Sequence, residues 1–169
     1  EYALIKARVQ VEILWLQRLS ATSDLPEISA LSADSKKFLA DVLAKFDATQ
    51  AQRVKDIEKV TNHDVKAVEY YLKEKCIEGP SDLRAVSEFV HFSCTSEDIN
   101  NLSYAIMLSE ARDSVLLPTM DKLTDELASR ADQYKDIPLL ARTHGQPATP
   151  STMGKELANF AYRLSRQRK

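Results

Sequence analysis

Glycine and proline, the residues that interrupt helices and permit tight turns, are scarce in this chain. Only three glycines and six prolines occur in 169 residues, and no segment shows sustained alternation of apolar and polar residues. Apolar residues instead recur at intervals of three and four, the spacing that places side chains on one face of an α-helix. The sequence therefore predicts an all-α fold with few connecting loops.

The predicted helices are of two kinds. The first are short and separated by turn signals such as Gly79-Pro80. The later apolar pattern continues over roughly forty residues, which is typical of a long-helix bundle, and Pro118 should kink or split that run. We predict a small N-terminal helical domain over residues 1–93 and the first long helices of a central bundle over residues 94–169.

Local signals place several helix ends and one buried face. Asp47 with Gln50 three residues later indicates a capping box, and Thr149 followed by Pro150 predicts the start of the last helix. The first helix is expected to bury one stripe: Leu4, Ala7, Val11, Leu14 and Trp15. Both chain ends fall within helical patterns, so we expect the chain to be part of a longer protein.

Composition limits the partners. The chain is 44% hydrophobic and 28% charged, with a formal net charge of -2, so it offers no general basic field for nucleic acid or an anionic membrane. No apolar run approaches the ~20 residues of a membrane helix, and the N-terminal pattern carries charges, unlike a signal peptide. We expect a cytoplasmic protein whose two cysteines, Cys76 and Cys94, are reduced and do not bind metal.

The three histidines of the chain lie in polar junctions and not on plain apolar stripes. They are His63, His91 and His144. Histidine, with an ordinary pKa of about 6.5, is the side chain best suited to proton transfer near neutrality. Their common setting suggests one active site, although each alone is compatible with a capping or structural role.

The segment Thr95-Ser96-Glu97-Asp98 is a second candidate for function. Hydroxyl groups, free backbone N–H groups and the positive end of the helix dipole together suit a carboxylate or phosphate. The alternative is an ordinary helix N-cap with acidic residues in the first turn. Asn100-Asn101 favours function, because neither asparagine promotes a helix unless its side chain has a partner.

The segment Ala141–Pro150, "ARTHGQPATP", is the third candidate. Its two prolines restrict the backbone that carries Thr143, His144 and Gln146, so these side chains lose little entropy on binding. Gly145 permits a positive φ or a close backbone approach. The alternative is a tight turn between helices, in which any polar residue would serve at position 144.

Three segments together resemble the adenylosuccinate lyase family, in its longer bacterial form, within the fumarase/aspartase superfamily. They are "TNHDVKAVEYYLKEK", "SEFVHFSCTSEDINNLSYAIML" and "DIPLLARTHGQPATPSTMGKELANFAYRL". Fumarases differ here, since they carry a Ser-Ser-Asn-Asp element and a Thr-His-Leu-Gln loop. Gly145 and "TSEDINN" are similar to the adenylosuccinate branch.

The resemblance implies a carbon–nitrogen lyase of purine biosynthesis. Such an enzyme releases fumarate from adenylosuccinate to give AMP, and from SAICAR to give AICAR, by β-elimination. The family uses no metal and no organic cofactor. It is a homotetramer whose active sites combine segments of three subunits.

The resemblance also implies a role for each candidate residue. His144 would be the general acid for the leaving nitrogen, with Thr143 and Gln146 beside it in substrate contact. Thr95 and Ser96 would bind a succinyl carboxylate. The remaining implied site residues line the substrate site, with His63 also supporting catalysis and His91 near the nucleotide portion: Asn62, His63, Asp64 and His91.

Two family features are missing from this sequence. The chain lacks the mobile loop with the Ser-Ser-x-Met-Pro-x-Lys-x-Asn pattern that carries the general base, and it lacks the N-terminal Arg-Tyr phosphate contact. We therefore expect the chain alone to be catalytically incomplete and to self-associate through unpaired apolar helix faces. Two other interpretations stay open, a non-catalytic helical interaction module and a sister lyase with another substrate.

Overall fold

Helices form most of the chain, which confirms the predicted all-α class. The computed structural model describes residues 1–168, and the chain divides into two compact units, Glu1–Leu108 and Ser109–Lys169. The helices that begin in the first unit are α1 (Tyr2–Ser20), α2 (Ala33–Ala44), α3 (Ala48–Thr61), α4 (Asp64–Glu78), α5 (Ser81–Ala85), a 3₁₀ turn (Ser87–Phe89) and α6 (Ser96–Ala111).

Side chains cap the helices of the first unit where the sequence predicts helix starts. The Asp47 carboxylate accepts hydrogen bonds from the N–H groups of Thr49 and Gln50, so it caps α3 as predicted. The reciprocal half of the predicted capping box does not form. Gln50 Oε1 instead accepts a hydrogen bond of 2.9 Å from the Tyr71 hydroxyl, because that buried phenol needs a partner.

Helix α1 is the centre of the first unit and is buried on several sides. The expected single stripe is therefore wrong in part: Leu14 is 52% exposed. The residues that α1 buries are Ile5, Ala7, Arg8, Val9, Val11, Glu12, Ile13, Leu16, Leu19 and Ser20. A helix packed by several neighbours buries more than one face, so two charged residues of α1 lie in the interior.

The second unit contains a π-helical turn (Arg112–Leu116), α7 (Leu117–Gln133), two strands and α8 (Met153–Gln167). The π turn lies directly before Pro118, the residue at which the sequence predicts a kink or a split. Proline donates no N–H and its ring crowds the carbonyl four residues earlier, and here the N–H of Leu117 reaches back five residues to Arg112. The backbone stays helical through this turn, since Ala111, Leu116 and Leu117 all keep right-handed helical angles, so the run contains a π turn before Pro118 and is not split in two.

Residues 138–152 form a β-hairpin, whereas the sequence predicts a connector followed by the start of a helix. Strand β1 (Pro138–Thr143) pairs antiparallel with β2 (Gln146–Thr152), with an irregularity between Leu140 and Arg142. The predicted cap at Thr149 is thus wrong, because Thr149 and Pro150 belong to β2. The actual N-cap of α8 is Thr152, whose hydroxyl accepts from the N–H of Lys155.

Gly154 allows α8 to approach α7 closely. Its N–H donates to the Tyr134 carbonyl at 3.0 Å, and an added Cβ would overlap the Ala131 carbonyl oxygen and lie 2.6 Å from Lys135 Cα. Glycine is required here because backbone meets backbone.

The boundary between the compact units falls within α6, later than the break predicted after Ser93. Residues 96–108 of α6 belong to the first unit, in which Ile99 is buried in a small cluster with Val11 and Val65. The division into a domain over residues 1–93 and a bundle over residues 94–169 stays a prediction. Among residues 1–168, no helix is both long enough and apolar enough to cross a membrane.

Candidate functional site

A cleft of about 370 Å³ opens between α1, α3 and the start of α4. Three of the predicted site residues, Asn62, His63 and Asp64, line it together with Arg8. The other residues that line the cleft are Glu1, Leu4, Ile5, Lys55 and Glu58. The cleft therefore brings charges of both signs next to the predicted Asn-His-Asp segment.

The backbone between α3 and α4 explains how this segment is presented. Asn62 ends α3 in the left-handed conformation, with φ at 51°. His63 then caps α4: its Nδ1 accepts a hydrogen bond of 3.2 Å from the N–H of Lys66. In the neutral ring the proton consequently lies on Nε2, which makes exposed His63 a potential donor to a ligand.

Asp64 is held as a carboxylate beside Arg8. Partial burial acts to raise the pKa of Asp64, but the Val65 N–H at 2.9 Å and the Arg8 guanidinium at 2.7 Å outweigh it and hold the pKa below its ordinary value. Opposite charge and hydrogen bonds to the ionised form favour that form. The cleft thus contains an ionised Asp64 whose charge is already paired.

His91 lies in a strained loop that two side chains of α1, Glu12 and Trp15, hold in place. Its φ is 66°, and its Nδ1 lies 2.6 Å from Oε1 of Glu12, a residue with no exposed surface. Burial raises the pKa of Glu12, although its contact with His91 acts in the opposite direction. A second bond, 2.8 Å from Trp15 Nε1 to the Phe92 carbonyl, holds the same loop.

Thr95 and Ser96 lie at the start of α6 as predicted. The Thr95 N–H donates to the Asp98 carboxylate at 2.8 Å, so Asp98 serves the first turn as in the capping interpretation. The hydroxyl groups of Thr95 and Ser96 make no hydrogen bond within residues 1–168. Capping and ligand binding are therefore compatible here, because they use different groups.

His144 lies at the tip of the hairpin in the second unit. His144 and Gly145 both have positive φ, 50° and 77°, and Thr143 pairs with Gln146 across the turn. Two positive φ values in a two-residue hairpin define a type I′ turn. All four residues are exposed. The predicted general acid, His144, is therefore part of a short turn with a defined backbone conformation.

The left-handed backbone marks much of the predicted site. Within the described part of the chain, the non-glycine residues with positive φ are Asn62, His91, Ser93 and His144. Three of these four are predicted site residues. Such conformations cost of order 1–3 kcal/mol for most side chains and cluster at functional sites, so the observation supports the sequence-based selection.

The first unit thus brings its predicted residues into two groups, the cleft segment at residues 62–64 and the loop at residues 91–96. Thr143, His144 and Gln146 belong to the second unit. Sequence reasoning missed Arg8 and Glu12. A signal was present, since both charges fall one helical turn apart inside the apolar run "ARVQVEI".

Solved structures identify the class of fold. A fumarate lyase from Mesorhizobium sp. BNC1 matches 96% of the chain and 35% of that structure's chain, with a TM-score of 0.70 and 19% identity. A β-carboxy-cis,cis-muconate cycloisomerase from Acinetobacter calcoaceticus matches 98% of the chain and 36% of its own, with a TM-score of 0.70 and 18% identity. The chain has the helical fold that these enzymes share.

Sequence comparison gives the family. The profile described as Lyase matches residues 2–169, so the chain belongs to this lyase family. It is 57% identical to the adenylosuccinate lyase of Vibrio cholerae over its whole length, and 60% identical to that of Escherichia coli strain K12 over 99% of the chain. The chain spans 37% and 36% of these relatives. The predicted resemblance to adenylosuccinate lyases is confirmed.

Proposed function

We propose that this chain is part of an adenylosuccinate lyase, a carbon–nitrogen lyase of purine biosynthesis. The enzyme would release fumarate from adenylosuccinate to give AMP, and from SAICAR to give AICAR. It would act in the cytoplasm as a homotetramer and use no metal or organic cofactor. The relatives at 57% and 60% identity support this assignment.

The structural observation that carries the proposal is the type I′ turn at His144 and Gly145. A general acid must stay within hydrogen-bond reach of the atom that it protonates. The hairpin fixes the backbone of His144 while its side chain stays exposed. We assign His144 to protonate the purine or imidazole amine as it leaves, with Thr143 and Gln146 contacting substrate beside it.

The other half of the elimination creates negative charge on the succinyl carbon skeleton. Thr95, Ser96 and the first-turn N–H groups of α6 would bind a succinyl carboxylate and stabilise the carbanion next to it. Asn62, His63 and Asp64 would line the substrate site from the cleft, with His63 supporting catalysis, and His91 would face the nucleotide. The general base would come from a segment that this sequence does not contain, so we expect the chain alone to be inactive.

The test is fumarate release from adenylosuccinate by the product of the complete reading frame, with His144→Asn beside the wild type. Asparagine tolerates positive φ, and Asn-Gly is a preferred type I′ pair, so this variant keeps the turn and loses the acid. We expect kcat to fall by about 10²–10⁴, with circular dichroism and subunit number unchanged. Thr149→Ser, on the same hairpin, is the matched control and should retain full release.

Each other outcome has a definite meaning. Unchanged release by His144→Asn would remove His144 from the role of acid. A folded wild-type product that releases no fumarate from adenylosuccinate would reject this substrate. The remaining choices would then be a sister lyase or a non-catalytic helical module.

A further inference from the structure

Arg8 is a charged residue inside the first unit. It is only 5% exposed and sits in the middle of α1 between Ala7 and Val9, which are also buried. A buried guanidinium is costly unless its donors find acceptors. Its partners therefore show which parts of the molecule it holds together.

The two partners of Arg8 come from different helices. One terminal nitrogen of the guanidinium lies 2.7 Å from Oδ2 of Asp64, the first residue of α4. Nε donates to Oδ1 of Asn100, on α6, at 2.9 Å. Because the guanidinium is planar and rigid, two bonds from it fix the relative position of both partners.

Each partner is next to a predicted substrate segment. Asp64 follows His63 directly and closes the cleft segment. Asn100 lies one helical turn after Ser96, and an α-helix is rigid over that distance. The hydrogen bond from Arg8 also explains why a poor helix former such as Asn100 stands in α6, because its side chain has a partner there.

We propose that Arg8 is a positioning residue that sets the cleft segment Asn62–Asp64 and the start of α6 at a fixed separation, so that both contact one anionic substrate. This inference rests on the proposed function, because both segments are assigned to the substrate there. Arg8 acts through Asp64 and Asn100. Lysine could not replace it, since an ammonium offers a point charge and no planar fork.

The experiment combines steady-state kinetics and amide hydrogen exchange on the complete protein, with the variants Arg8→Lys and Asn100→Ala. Arg8→Lys keeps the charge, and Asn100→Ala improves helix propensity, so neither weakens the fold by an unrelated route. We expect KM for adenylosuccinate to rise about tenfold, with a smaller change in kcat. A tenfold effect lies within the range of interaction energies between residues of one hydrogen-bond network. Exchange should rise in residues 62–66 and 96–101, while α2 and α5 stay protected.

Arg53→Lys is the matched control. Arg53 is exposed and pairs with Glu74 between α3 and α4, so the same substitution there should change neither KM nor exchange in the two segments. The double variant Arg8→Lys with Asn100→Ala should raise KM by less than the product of the single effects, because both remove the same link.

The inference is overturned if KM is unchanged in both single variants, or if exchange rises equally throughout the first unit. The second result would mean that Arg8 only stabilises the fold. If the wild-type protein releases no fumarate, the proposed function fails by itself. Hydrogen exchange in the variants then tests the positioning role by itself. A rise confined to residues 62–66 and 96–101 supports their fixation by Arg8, and a uniform rise or no rise rejects it.

Discussion

Glu12 is the most unusual residue in the chain, because it is a carboxylate with no exposed surface. Its Oε1 contacts His91 at 2.6 Å, while Oε2 has no hydrogen-bond partner within residues 1–168. Glu69, also buried, adds negative charge nearby, and burial raises the pKa of Glu12. The folded chain consequently binds the Glu12 proton more tightly than the unfolded chain does.

Glu12→Gln should change the pH dependence of stability in a defined direction. A raised pKa in the folded state means that Glu12 lowers the free energy of unfolding as pH rises above its ordinary value of 4.5. Glutamine has nearly the same shape and cannot ionise. The variant should therefore gain stability relative to the wild type as pH increases, measured by urea unfolding over a pH series.

Glu88→Gln is the comparison for this measurement. Its exposed carboxylate pairs with Lys73, which holds the pKa of Glu88 below its ordinary value, so its small effect should have the opposite sign. A stability difference between Glu12→Gln and the wild type that stays constant with pH would show that Glu12 does not bind its proton more tightly in the folded state.

The sequence predicts site residues at helix ends, but it does not predict the buried residues that bind them. His63 and Thr95 could be selected because polar groups at helix starts have local chemical reasons to be there. The apolar run marks Arg8 and Glu12 as unusual charges, but the sequence could not show what they bind, since Asn100 and His91 lie 92 and 79 positions away. On a helix whose neighbours are unknown, a charged residue is expected to face solvent.

At the scale of elements, the contact of α7 with α8 depends on one glycine. We predict that Gly154→Ala lowers the midpoint of thermal unfolding, because the added carbon meets the backbone of Ala131 and Lys135. Overpacking of this kind costs about 1–3 kcal/mol, which exceeds the gain of up to about 1 kcal/mol from helix propensity.

Gly79→Ala provides a matched control for that prediction. The atoms nearest to its added carbon belong to the side chains of Leu83 and Phe38, and the end of a side chain can shift at a lower cost than backbone. The loss of stability should be clearly smaller than for Gly154→Ala. Equal losses in the two variants would contradict the argument that backbone contact makes Gly154 indispensable.

The helices were predictable and the hairpin was not. Apolar spacing and caps such as Asp47 are local signals, and they gave the correct elements in the first unit. The hairpin depends on pairing between Pro138 and Thr152 at its far end, and its strands contain prolines that weaken any strand pattern. A two-stranded sheet tolerates them because both strands are edges.

At the scale of the whole molecule, the second unit leaves much of its apolar surface uncovered. Helix α7 buries no residue, and α8 buries only Gly154 and Ala161. The exposed large apolar residues of this unit include Val115, Leu116, Leu123, Leu139, Leu140 and Phe160. Large exposed apolar patches commonly mark an interface.

We predict that the 169-residue chain self-associates and that Leu123→Glu with Phe160→Glu shifts it toward the monomer. These side chains are 50% and 56% exposed, so the substitutions should not disturb a core. Sedimentation velocity over a range of concentrations measures the change. Val60→Glu, at a position of α3 that is 82% exposed, should leave association unaltered, and a wild-type chain that is monomeric at high concentration would contradict the prediction.

The left-handed conformations of Asn62, His91 and His144 have a consequence for protein engineering. Glycine at Asn62 or His144 would relieve backbone strain and could raise thermal stability. A stability-guided redesign would thus favour replacing the side chains that the proposed chemistry requires. Selection for heat resistance alone would erase the site while improving the scaffold, so any optimisation of this chain should keep these positions fixed.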